Sequence, residues 1–256
     1  AMAPPLNATR STTADPKVMP ILDHLAELRS CLLRVISAVF LGSFLSYPWT
    51  GEFFIWLTHP IRQPGFQVEI IGTGPAEAFV VKLKLAIAAG IIISLPYSLY
   101  QLWLFIAPGL TEKEKKSSVP FVATGTIFFL FGAAFCYFAV FPVAFSFFLA
   151  EYASIQVAAA IRMNEYLSFM LKTLLVFGIV FELPVISYML ARLRILSSAW
   201  LKAKARIIIV GIFITAAIFT PPDVVSQLLL AVPLLIICFF CFIICRIVET
   251  RHAQQH

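Results

Sequence analysis

Charge is scarce in this chain. Only 12% of its 256 residues are Asp, Glu, Lys or Arg, about half the share usual in a soluble domain. Hydrophobic residues make up 61%, which excludes a water-soluble enzyme and leaves a polytopic membrane protein. Histidine is also sparse: His24, His59, His252 and His256 lie far apart or at the tail. There is no Ser/His/Asp grouping, no H-E-x-x-H and no phosphate-cradling glycine loop, so neither catalysis nor a cofactor is expected. Five cysteines sit mostly in apolar runs, where they serve as small hydrophobes rather than a disulfide framework. Cys238, Cys241 and Cys245 share one helical face, but with no nearby His or second Cys pair they make no metal site. No internal repeat of the kind seen in carriers with inverted halves is present.

What the chain does have is six apolar runs, at 31–49, 85–107, 119–150, 166–190, 207–220 and 224–245. About 20 apolar residues cross a bilayer core. The expectation is an all-α integral membrane protein with six transmembrane helices. Fourteen of the nineteen cations fall in alternate connections: the N-terminal stretch, 108–118, 192–206 and the C-terminal end. The positive-inside rule therefore places both termini in the cytoplasm. Trp49, Trp56, Trp103 and Trp200 fall near the predicted interfaces, where amphipathic rings are favoured. Residues 1–20 are polar and read as a disordered tail, 21–248 as the membrane domain and 249–256 as a second tail. No cleavable signal precedes the first run, so insertion through its own spans is expected.

The outer segment 50–78 contains EFFIWL, His59-Pro60 and GTGP at 72–75, a pattern for a short surface helix followed by turns. Pro96, Pro142, Pro184 and Pro233 interrupt four spans, and each removes a helical hydrogen bond. The fifth run is short, 14 residues against a core about 30 Å thick. Bilayer thinning, helix association, or snorkelling of Lys204 and Arg206 would absorb that mismatch.

Three polar features stand out. In DHLAELRSCLLR, residues 23–34, Asp23 and Glu27 lie four apart, with no intrahelical cation at pairing distance. That face suits either solvent at the membrane surface or a basic ligand. In PGLTEKEKKS, residues 108–117, Glu112 has Lys115 and Lys116 to pair with, whereas Glu114 has serines at those spacings. Glu114 is therefore either the acid of a T-x-x-E capping box or a ligand group. The third feature is Glu182, in the middle of the fourth run, which costs roughly 3 kcal/mol to insert. Gly178, Ile179, Val185 and Ile186 surround it on its own helix, so it must be protonated, paired with another helix, or facing water. Thr220, Asp223 and Gln227 form a polar group at the last outer hairpin, where Asp223 also suits an N-cap.

Four motifs, HLAELRSCLLR, SLYQLWLFIAPGLTEKEKK, FGIVFELPV and FTPPDVVSQLLLAVP, occur together and in this order. Over residues 20–248 the chain closely resembles the TatC family of the twin-arginine protein translocase. The resemblance implies a six-span fold like a cupped hand in the bacterial inner membrane. It implies a receptor for the twin-arginine signal peptides of folded precursors, in transport driven by the proton-motive force. The family's signal-peptide residues fall on Glu27, Arg29, Phe105 and Glu114, and its intramembrane acid on Glu182. Docking of single-span TatA/TatB-type subunits falls on Thr220 and Gln227, and Pro60 matches an outer-loop proline. Self-association in a larger complex and contact with membrane lipid are also implied, and no nucleic-acid partner. Gly74 stands where some members carry an acid, so no site residue is carried over there. The alternative from the residues alone is a proton-coupled small-solute carrier using Glu182.

Overall fold

The computed structural model describes residues 21–61, 68–106, 118–220 and 223–253, with side chains from 25 to 251 within those ranges. The expected tail at 1–20 and Glu114 with its loop lie outside the described residues.

Helix α1 (Ile21–Ser46) makes the acidic lead-in and the first apolar run one continuous element. A short 3-10 turn at Tyr47–Trp49, with Pro48 in its first turn, redirects the chain into α2 (Thr50–Thr58). Helix α2 is a short helix where EFFIWL led us to expect one. Tyr137 Oη donates to the Trp56 carbonyl at 2.8 Å, and Tyr166 Oη donates to the Leu57 carbonyl at 2.7 Å. The Trp56 and Tyr137 rings stack with centroids 4.0 Å apart.

Helix α3 (Glu77–Ile106) and helix α4 (Ser118–Phe135) cover the second run and the start of the third. A π turn at Cys136–Val140 then leads into α5 (Phe141–Ser154). Pro142 lies in the first turn of α5, so the wider turn just before it absorbs the disruption that proline causes. Helices α6 (Met163–Arg192), α7 (Ser198–Phe219) and α8 (Val224–Ala253) complete the chain. Pro96, Pro184 and Pro233 lie inside α3, α6 and α8.

Two four-residue strands were not legible in the sequence. β1 (Val68–Ile71) pairs in parallel with β2 (Ala159–Arg162), from Val68 opposite Ala159 to Ile71 opposite Arg162. This pair joins the segment before α3 to the segment before α6. Glu77 reinforces it from the start of α3. Its carboxylate accepts from the backbone of Thr73 and Gly74 in the GTGP turn, and from the Asn164 N–H in the first turn of α6 at 2.9 Å. One turn or two further in, Lys84 Nζ donates to Asn164 Oδ1 at 2.7 Å and Ser168 Oγ at 2.8 Å. The Glu77 end of α3 and the Asn164 end of α6 are thus held by polar contacts as well as by packing.

Helix α6 is the centre of the fold, packed on α3, α4 and α8. Leu167, Met170 and Phe177 on it are fully buried. Helix α1 packs chiefly on α3, and α7 chiefly on α8, so these two flank the core. Their remaining faces carry apolar side chains outward, such as Phe40, Phe44, Ile207 and Ile218. In water such faces would be a liability; in a bilayer they are the lipid-facing surface.

Five helical segments, Leu25–Ile61, Glu77–Ile106, Ser118–Ser154, Met163–Arg192 and Val224–Arg251, are long and apolar enough to cross a membrane. Helix α7 is not one of them. Its first half carries Lys202, Lys204 and Arg206, leaving a short apolar remainder as the sequence led us to expect. Glu249 of α8 holds the start of α7: it accepts from the Ser198 N–H at 2.8 Å and from the Ser198 hydroxyl. Ser197 caps the same end, accepting from the Trp200 N–H at 3.1 Å.

Candidate functional site

The acidic lead-in lies beside the end of α3. Close approach of α1 and α3 is permitted by small residues: a Cβ placed on Gly90 would lie 2.7 Å from the Val39 carbonyl oxygen and 2.5 Å from the Ser43 nitrogen. Further along, Gln101 connects the same two helices. Its backbone carbonyl accepts from Cys31 Sγ at 3.4 Å, and its side-chain Oε1 accepts from Arg34 Nη1 at 3.4 Å.

This packing leaves a cavity of about 370 Å³ with Glu27, Ser30 and Arg34 on the α1 side and Gln101 and Phe105 on the α3 side. Two of the sequence-derived site residues, Glu27 and Phe105, therefore share one cavity. Arg29 lies on the exposed surface of α1 and does not line it. Glu114 belongs to the loop that follows α3 and is outside the described residues.

Arg34 and Gln101 were missed as site residues. A signal existed for each: Arg34 is seven residues from Glu27, two helical turns along the same face, and Gln101 is a polar residue four before Phe105. Chemically, the cavity joins a carboxylate, a cation, a carboxamide and an aromatic face. Such a set receives a guanidinium on its acid and an apolar side chain against Phe105.

Glu182 sits elsewhere, on α6, and is only 6% exposed. Neither of its carboxyl oxygens has a hydrogen-bond partner among the described residues. Its place is made by Gly125 of α4, where an added Cβ would lie 2.9 Å from Glu182 Oε2 and 2.9 Å from Leu99 Cδ1. A buried polar group without a partner is uncommon and costly, and it marks a place where an outside donor would be favourable.

The hairpin between α7 and α8 accounts for the third group. Asp223 caps α8 as its sequence position suggested, accepting from the Ser226 N–H at 2.7 Å and from the Ser226 hydroxyl. The Thr220 hydroxyl donates to the Ala216 carbonyl at 2.8 Å. Gln227 Nε2 donates to the Phe213 carbonyl at 3.1 Å, tying α8 back to α7. The three acidic or polar groups are thus separate: a cavity at the α1–α3 end, a buried acid on α6, and a hairpin at the far end of α7 and α8.

A family model described as Sec-independent protein translocase protein (TatC) matches residues 23–233. The Sec-independent protein translocase protein TatC of Desulforapulum autotrophicum is 41% identical over 219 residues, covering 85% of this chain and 81% of that relative. Its counterpart in Helicobacter pylori is 43% identical over 214 residues, covering 82% of this chain and 81% of the relative. A crystal structure of the twin arginine translocase receptor TatC superimposes with a TM-score of 0.82 at 33% identity, covering 88% of this chain and 99% of that one. These are protein-translocation components, and the solute-carrier alternative for Glu182 has no support among them.

Proposed function

The chain belongs to the TatC family of Sec-independent protein translocase proteins, and from that membership we propose that it is the multi-spanning receptor of a twin-arginine translocase. It binds the twin-arginine signal peptides of folded precursors and nucleates assembly with single-span TatA/TatB-type subunits for transport driven by the proton-motive force. In this reading α7 is a sixth, short span, both termini are cytoplasmic, and the spans form a concave wall in the bacterial inner membrane. The positive charge at 192–206 and near both ends supports that orientation.

One observation carries the recognition site. Glu27 and Phe105 line the same cavity, at the end of α3 that leads directly into the loop bearing Glu114. Each acid takes one guanidinium of the arginine pair, in a bidentate geometry that lysine cannot reproduce. Phe105 packs against the apolar part of the peptide, and Arg29 belongs to the same recognition surface. Glu182 accepts a polar group from a signal peptide or a partner helix. Thr220 and Gln227 mark the docking face for single-span subunits, and copies of the chain associate in the larger complex.

Site-specific photo-crosslinking from position 105 to a twin-arginine precursor and its twin-lysine counterpart tests this. Strong labelling of the first only is expected. Equal labelling of both, or normal labelling in Glu114→Lys, overturns the assignment.

A further inference from the structure

A second cavity, of about 360 Å³, opens where α3, α4, α6 and α8 meet near the Arg192 end of α6. Its lining is almost wholly apolar, with Trp103, Phe121, Phe128, Pro184 and Tyr188 contributing. Among the described residues, the one charged residue that lines it is Arg192, exposed in the last turn of α6. The volume lies in the range of small-molecule sites.

We propose that this groove holds an acyl chain of an anionic phospholipid whose headgroup sits on Arg192. The chemistry is graded along the groove. Phe128 and Pro184 lie toward the membrane interior, Tyr188 and Trp103 one to two turns further out, and the guanidinium at the mouth. A phospholipid has the same order: hydrocarbon, interfacial esters, anionic phosphate. Aromatic rings with one polar edge favour the interfacial level, and a phosphate accepts two guanidinium N–H groups in one plane. A twin-arginine peptide lacks that match, since its cationic end would meet Arg192.

The groove also touches the recognition surface from behind. Trp103 precedes the 107–117 loop and Phe121 follows it, and their rings pack with centroids 4.7 Å apart at the groove wall. An occupied groove therefore braces the ends of α3 and α4 on either side of Glu114 in the chain. That consequence rests on the receptor reading; the lipid site itself does not.

Native mass spectrometry of the detergent-purified full chain, titrated with phosphatidylglycerol or phosphatidylcholine, tests the site without any peptide. Retention of phosphatidylglycerol about fivefold above phosphatidylcholine is expected, the effect of one interfacial cation on an anionic lipid. Arg192→Gln, a surface change, abolishes the preference, Arg192→Lys keeps most of it, and Arg246→Gln on α8 leaves it unchanged. Equal retention of both lipids by the wild type, or an undiminished preference in Arg192→Gln, overturns the site. Crosslinking of a twin-arginine peptide at position 27 in discs of each lipid reads the consequence. Intact lipid preference with identical crosslinking in both discs overturns the link to the loop and leaves the groove standing.

Discussion

The Glu182 carboxylate fills space that a side chain at Gly125 would need: an ideal Cβ there falls 2.9 Å from Glu182 Oε2. The glycine on α4 and the acid on α6 are therefore one unit. Gly125→Ala forces both the acid and Leu99 from their places, at a cost of about 1–3 kcal/mol by the behaviour of overpacked interiors. We expect Gly125→Ala to insert normally, to unfold earlier in detergent and to transport poorly. Combined with Glu182→Ala, the alanine at 125 should cost less stability, with the contact to Leu99 alone remaining. Additive losses in that double-mutant cycle would show that the two residues are not coupled.

Glu182 itself separates two roles. Glu182→Gln keeps the shape and removes the acid, so insertion and signal-peptide crosslinking should persist while partner assembly or transport falls. Full transport by Glu182→Ala would make the acid dispensable. Transport assays paired with copurification of a single-span subunit distinguish these outcomes.

The cavity between α1 and α3 makes opposite predictions for its two charges. Glu27→Gln removes a charge-assisted hydrogen bond worth about 1.5–3 kcal/mol, so peptide affinity should fall about 10- to 100-fold. Arg34→Gln removes a like charge facing the incoming arginine. Because Arg34 is exposed, the gain is modest, about two- to fivefold tighter binding. Fluorescence titration with a labelled twin-arginine peptide measures both, and a weakened Arg34→Gln would mean that the cation supports binding.

Much of this architecture was legible in the sequence because bilayers demand long apolar runs. The runs at 85–107 and 166–190 became α3 and α6, α3 beginning eight residues earlier at Glu77 and ending at Ile106, and α6 longer by three residues at its start and two at its end. What could not be read was long-range and small. β1 and β2 are four residues each and about 90 positions apart, so neither alternation nor a turn links them. Gly125 lies between Thr124 and Thr126 in an otherwise apolar run, and nothing in that run marks the acid it accommodates. Glu27 and Phe105 were joined beforehand only by family resemblance, since spacing on one helix says nothing about which helix lies opposite. Asp223, whose role is local, was readable directly as a cap.

Gln227 links the proposed docking face to the fold. Its amide N–H reaches the Phe213 carbonyl across the α7–α8 hairpin. Gln227→Leu deletes that bond, worth about 1 kcal/mol, and should impair single-span subunit copurification more than thermal stability. Gln227→Glu lacks the donor as well and should behave no better. A stability loss well above that figure, with assembly unaffected, would assign Gln227 to the hairpin alone.

Gly90 offers the sharpest test of how α1 is held. The atoms nearest its absent side chain include backbone: the Ser43 nitrogen at 2.5 Å and the Val39 carbonyl oxygen at 2.7 Å, with Ser43 Oγ at 2.3 Å. Trimming the hydroxyl therefore cannot make room, and Gly90→Ala must push the two helices apart. We expect a loss of about 1–3 kcal/mol, no rescue by Ser43→Ala, and weaker peptide binding because Glu27 moves away from Phe105. A cysteine pair at 27 and 105 treated with a short bifunctional crosslinker should report that separation as lost yield. Full rescue by Ser43→Ala would instead mean that the hydroxyl alone sets the spacing, and that α1 can approach α3 without the glycine.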